Sequence, residues 1–168
     1  VLAEIDAADG GRGSDYYEAM RISLRAVLDL TARYAAYARE QGRGDVADLL
    51  EKVPAHPAET LHEALQSLRI LHFAMWCEGD YHNTLGRFDQ YMFPYLKADL
   101  DAGRESEDSA FELLEAFFLA CNRDSDLYPG MQQGDNGQSI VLGGMLPDGS
   151  DGYNLLSEMC LKASADLR

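Results

Sequence analysis

Basic residues are scarce. Fourteen lysines and arginines face twenty-nine acids, a formal charge of −15 over 168 residues. Such a surface repels phosphate backbones and anionic headgroups, so neither nucleic acid nor a membrane is an expected partner. Cysteine is sparse as well. Cys77, Cys121 and Cys160 are far apart, odd in number and never arranged as Cys-x-x-Cys. A zinc site or a redox pair is therefore not expected, and a reducing, cytoplasmic setting fits. No apolar run approaches the roughly 20 residues a membrane-spanning helix needs. The opening, Val1-Leu2-Ala3-Glu4-Ile5-Asp6, has no basic stretch ahead of an apolar core and does not read as a secretory signal. It also lacks an initiator Met, which suggests a processed chain or an excised piece. Gly-x-Ser-x-Gly, His-Glu-x-x-His and Gly-x-Gly-x-x-Gly are all absent.

What is present is an ordinary globular composition, 46% apolar and 26% charged, which argues against disorder over most of the length. Residues 1–13 are small, acidic and Gly-rich and read as a loose lead-in. Ser14 is placed to cap a helix over 16–41, where apolar residues recur at helical spacing. Gly42-Arg43-Gly44 ends it, a short helix covers 45–52, and Pro54 and Pro57 stop that one. A second long helix opens at 57–60 and runs to about 78. Its apolar residues cover more than half its circumference, so it is expected to be buried on most sides. Residues 81–88 read as a short extended segment and 89–100 as a helix kinked or interrupted at Pro94. A solvated turn (101–108), a helix (109–122) and a Gly- and Gln-rich loop (123–137) follow. Gln138-Ser139-Ile140-Val141-Leu142, bounded by Gly143 and Gly144, carries a buried-strand signal. A turn over 147–152 leads to a final helix expected to be still running at Arg168. The fold expected is mainly α with one or two short β-strands, with 1–57 a helical lead-in region and 58–168 a separate segment. One or two strands cannot complete a sheet, so they should pair with something further.

Candidate chemistry is thin. His62, His72 and His82 lie ten residues apart, whereas a helical metal pair needs a separation of about three or four. His72 reads as a core histidine and His56 as a loop residue. His82 sits in the polar run Asp80-Tyr81-His82-Asn83-Thr84 at a helix end. Such a run either faces water or lines a substrate cavity. The loop Gln132-Gln133-Gly134-Asp135-Asn136-Gly137-Gln138-Ser139 offers amides and close backbone approach, yet lacks the Lys and Gly spacing of a phosphate loop. Arg87 and Asp89 flank Phe88 and read as an ion pair or a cap. The three cysteines have no adjacent base-plus-acid constellation and read as buried helical thiols.

Several stretches taken together carry a resemblance. They are Glu63-Ala64-Leu65-Gln66; Leu85-Gly86-Arg87-Phe88-Asp89-Gln90-Tyr91-Met92-Phe93-Pro94; Gln138 to Gly144; Asp148-Gly149-Ser150-Asp151; Asn154-Leu155-Leu156-Ser157; and Cys160-Leu161-x-Ala163. In this order and spacing, residues 58–165 resemble the glycyl radical enzymes of the pyruvate formate-lyase type. The flavour is that of the dehydratase, C–N lyase and decarboxylase branch. Residues 1–57 carry no such signature.

The resemblance implies a segment of a ten-stranded β/α barrel, with outer helices and one or two barrel strands. It implies a catalytic cysteine on a Gly-Cys loop and a stored glycyl radical on an Arg-Val-x-Gly-Tyr loop. Neither motif occurs in this chain. No catalytic residue and no metal site are therefore expected in the segment, and alone it is expected to be inactive. The radical would be installed by a radical SAM activase with an iron–sulfur cluster, and the segment itself would bind no cofactor. Partners implied are a small-molecule substrate, the activase, the remainder of the parent chain and a second copy in a homodimer. By position, Asp80, Tyr81 and His82 would face the substrate, with Asn136 and Gln138 on a second pocket-lining loop. Polar residues there imply a polar substrate, and His82 would hydrogen-bond it or serve as general acid. The run Asp80-Tyr81-His82 matches no subfamily pattern and leaves the substrate open. Two other readings stand beside this one: a non-catalytic acidic helical binding or scaffold module, and a split or degenerate member of the family.

Overall fold

The computed structural model describes residues 1–11, 13–78, 83–123 and 139–167. Seven helices are described: α1 (Leu2–Asp9), α2 (Asp15–Glu40), α3 (Gly44–Lys52), α4 (Leu61–Cys77), α5 (Phe88–Asp101), α6 (Glu107–Arg123) and α7 (Leu155–Asp166). They fall into two compact units, Val1–Pro57 and Ala58–Arg168.

The first unit begins with a helix where a loose lead-in is expected from the sequence. α1 has almost no amphipathic stripe, but charge ties it to α2. Asp9 is 2% exposed and accepts from the backbone of Gly13 and Ser14 and from Arg21 Nη2 at 3.0 Å. Arg21 Nε also donates to Asp6 at 2.8 Å. The guanidinium holds the Asp9 carboxyl below the usual carboxylate range, helped by the two backbone bonds. α2 starts as the sequence predicts, with Ser14 accepting from the Tyr17 N–H and Asp15 and Glu18 in the first turn. Small buried residues, Ala35 and Ala38 on α2 and Ala47 on α3, let those two helices approach closely.

In the second unit α4, α5, α6 and α7 enclose one apolar core. Leu61, Leu65, Phe88, Met92, Leu96, Leu114, Phe117, Leu156 and Cys160 are buried in it. Phe88 stacks on Phe117 with ring centroids 5.5 Å apart. Thr60 caps α4 by accepting from the Glu63 N–H, and Asp99 on α5 accepts from the Leu61 N–H at 2.7 Å. The other Asp99 oxygen accepts from Arg104 Nε, so a buried carboxylate joins the start of α4 to the end of α5. α7 opens with a reciprocal box in which Asn154 and Ser157 satisfy each other's backbone N–H groups.

Several expectations need correction. Of the two alternatives at Pro94, the interrupted helix falls: α5 is continuous, with Pro94 inside it. α7 closes at Asp166, earlier than expected, with Leu167 as its C-cap, whose N–H donates to the Ala163 carbonyl. The β-branched run forms no strand among the described residues. There are only isolated bridges, Gly86 with Ile140 (parallel) and Met145 with Asp151 (antiparallel). A ladder needs a neighbour along its whole length, and among the described residues only the short stretch around Gly86 offers one. Among the described residues no helix is long and apolar enough to cross a membrane.

Candidate functional site

The polar residues singled out as substrate-facing, Asp80, Tyr81, His82, Asn136 and Gln138, lie outside the described residues. The described residues that follow each stretch, Asn83 and Ser139, begin two segments that meet. Leu85 N–H donates to the Ser139 carbonyl at 2.8 Å and Val141 N–H donates to the Gly86 carbonyl at 2.7 Å. Thr84 Oγ1 donates to the Ser139 carbonyl at 2.7 Å, and Ser139 Oγ donates to Thr84 Oγ1 at 3.1 Å. The pairing is parallel, so both segments run the same way and both are entered from the same end. Asn83 is buried, while Thr84, Ser139 and Val141 are exposed.

Behind this junction stands the first turn of α5. The sequence motif Leu85-Gly86-Arg87-Phe88-Asp89-Gln90-Tyr91 supplies a set of long-range bonds. Arg87 Nη2 donates to the Gly143 carbonyl at 2.7 Å and Nη1 to the Met145 carbonyl at 3.4 Å. Asp89 is fully buried, and its Oδ2 accepts from the Gly143 N–H at 2.6 Å and from Ser157 Oγ. Arg87 and Asp89 thus do not form the ion pair or cap expected from the sequence; they grip the two sides of one residue. Gly143 has φ 63°, a left-handed conformation that a side chain would strain. Gln90 Nε2 holds the Gly152 carbonyl at 2.7 Å, and Tyr91 Oη donates back to the Leu85 carbonyl at 2.7 Å.

The electrostatics keep two nearby groups protonated. Burial, followed by the neighbouring Asp89, pushes the Cys160 thiol up to about 12. Tyr91 is 41% exposed overall, yet burial around its hydroxyl, then the nearby Cys121, raises it to about 12. Cys121 and Cys160 are buried helical thiols, as the sequence predicts; Cys77 is exposed, against expectation. His72 is buried and tilts against Trp76 at 6.4 Å. Among the described residues no group of three or more His, Cys, Asp or Glu is placed to hold a metal ion. Sequence reasoning did not find the Gly143 clamp. The only sequence signal for it was the Gly143-Gly144 pair after an apolar run.

A family model described as pyruvate formate lyase-like matches residues 2–168. Isethionate sulfite-lyase of Desulfovibrio desulfuricans is 29% identical over 99% of this chain and 22% of its own length. Trans-4-hydroxy-L-proline dehydratase of Clostridioides difficile is 29% identical over 90% of this chain and 22% of its own. The crystal structure of a glycyl radical enzyme from Archaeoglobus fulgidus superposes with a TM-score of 0.84 at 27% identity, over 99% of this chain and 25% of that one. The chain therefore spans about a quarter or less of the relatives it matches.

Proposed function

The chain belongs to the pyruvate formate lyase-like family, and from that premise we propose that it forms one wall of the substrate cavity in a glycyl radical lyase, dehydratase or decarboxylase. Asp80, Tyr81 and His82 form one edge of that wall, and Asn136 and Gln138 form the other. The observation that carries the reading is the parallel junction of Thr84 and Leu85 with Ser139. It bonds together the two points from which the polar stretches depart. Residues 58–168 supply outer helices and a short barrel-edge pairing, and the barrel is completed by chain beyond this segment.

The three thiols present do not fit a hydrogen-transfer role. Cys121 and Cys160 are enclosed in helix packing, and Cys77 is at the surface. The radical chemistry is supplied by a cysteine and a glycine elsewhere in the parent protein, after a radical SAM activase has acted. This segment binds and orients the substrate, excludes water and supplies a proton from His82. Tyr81 and Asp80 hydrogen-bond a small polar substrate, and His82 donates a proton to its leaving group. Asn136 and Gln138 hold the substrate's polar end through their amides.

The test is made on the full parent protein under anaerobic conditions. Replacing His82 with Ala should lower turnover about a hundredfold or more, in line with loss of a general acid. The glycyl radical signal in electron paramagnetic resonance should be unchanged. Undiminished turnover would remove His82 from the pocket.

A further inference from the structure

We propose that Arg87 and Asp89 are positioning residues that set the register of the parallel junction, and thereby the distance between the two polar edges; this rests on the reading above. The junction itself is slight. Two backbone bonds, one hydroxyl-to-carbonyl bond and one hydroxyl-to-hydroxyl bond join 84–86 to 139–141. A pairing so short does not specify its own register, and a one-residue slip turns every side chain to the opposite face. Register must therefore come from outside the pairing.

The clamp supplies it. Gly143 lies two residues beyond Val141, and both of its backbone groups are taken. Asp89 holds the N–H at 2.6 Å and Arg87 holds the carbonyl at 2.7 Å. Both bonds are charge-assisted, so each is roughly twice as strong as a neutral one. Asp89 lies in the first turn of α5 and Arg87 is the N-cap residue just before it, so both follow directly from Gly86 of the junction. One rigid element thus fixes Gly86 and Gly143 together, and the intervening residues 140–142 have no slack to slip. Further bonds back the grip: Ser157 Oγ donates to Asp89 Oδ2, and Asn154 Nδ2 donates to the Asp89 carbonyl at 3.3 Å. The Asp89 oxygen not used by Gly143 is buried without a hydrogen-bond partner. A carboxylate half satisfied in a dry core costs stability. Its retention there is explained by the grip on Gly143.

The experiment reads register directly in the full parent protein. Thr84→Cys with Ser139→Cys should form a disulfide under mild oxidation, because their hydroxyls lie 3.1 Å apart. Thr84→Cys with Ile140→Cys, the residue that a one-residue slip would bring to the place of Ser139, should not. Adding Arg87→Gln should cut the first cross-link about tenfold, the loss expected when one charge-assisted bond is removed, and the second should appear. Exchange of the Leu85 and Val141 amide protons should speed up by a similar factor, with the amides of α6 unchanged. Asp89→Ala should act in the same direction and Asp89→Asn should restore register, since an amide oxygen still accepts from Gly143. Because Asp89 is buried, the Arg87 variant decides the matter if Asp89→Ala does not fold. An unchanged cross-link pattern in Arg87→Gln overturns the proposal, as does a uniform rise in exchange across α6. A parent protein that forms no glycyl radical would sink the cavity reading alone, while the cross-link result would still decide the clamp.

Discussion

At the scale of single residues, the protonation of Cys160 and of the partly buried Tyr91 hydroxyl makes stability depend on alkaline pH. Cys160 is moved from its ordinary 9.0 to about 12 and Tyr91 from 10.0 to about 12. In both, burial disfavours the anion. The unfolded chain therefore loses these protons first as pH rises. Their contribution to stability is complete below about 9 and is lost progressively as pH climbs to about 12. A series of urea unfolding curves from neutral to alkaline pH should show the midpoint falling through that window. Cys160→Ala should flatten the slope in its lower part, whatever it costs in packing. A midpoint as flat in the parent as in the variant would mean that the thiol is not sequestered. The residue scale is also where the sequence was least informative. Arg87 and Asp89 look like a local pair when read along the chain. Their actual partner, Gly143, is more than fifty positions away, and no pattern of local spacing reports such a contact.

At the scale of elements, helices with an apolar stripe and a capping residue could be read with little loss. Ser14 and the Gly42-Arg43-Gly44 stop bracket α2 nearly as predicted. α1 could not be read because its stability is not local: Asp6 and Asp9 are held by Arg21 on another helix. The β-branched run misled for the opposite reason. Residues 139–142 have strand-like chemistry, but among the described residues their partner is a two-residue stretch, and the chain then turns at Gly143. That turn closes on Gly152, whose N–H donates to the Gly144 carbonyl at 2.7 Å. A methyl group on Gly152 would sit 2.8 Å from that same carbonyl oxygen and 3.0 Å from Arg87 Nη2. The carbonyl is backbone and cannot yield without opening the turn. Gly152→Ala should therefore cost about 1–3 kcal/mol, the usual range for overpacking. Gly44 is the contrast. It starts α3 with open space around it, so Gly44→Ala should be neutral or stabilise by up to about 1 kcal/mol. Chemical denaturation of the two variants measures both effects. Equal midpoints would show that the turn tolerates a methyl group and has no part in holding Arg87.

At the scale of the whole molecule, the charge, the exposed apolar residues and the short junction describe one situation. A surface at −15 keeps a protein in solution, yet Val141, Met145, Tyr153 and Leu161 are more than half exposed. Three of the four lie on or beside the segment that joins Gly86 to α7. A parallel pairing is stable only when covered on both faces, and this one packs on the apolar core through Leu85, Ile140 and Leu142 while Val141 is exposed. The relatives it matches are more than four times as long. The proposed function therefore predicts that the parent gene encodes, downstream of Arg168, a Gly-Cys dipeptide and later an Arg-Val-x-Gly-Tyr. Sequencing the source DNA past that codon checks this directly. It also couples to a physical measurement. If those loops are encoded, the 168-residue chain alone should bind a hydrophobic dye and melt broadly, because the covering strands are missing. The parent protein should melt cooperatively. If instead a stop codon follows and no partner frame carries the loops, the chain must bury its own edges. A single sharp transition would then be expected, the cavity reading would fail, and the acidic helical module would be left as the account of this protein.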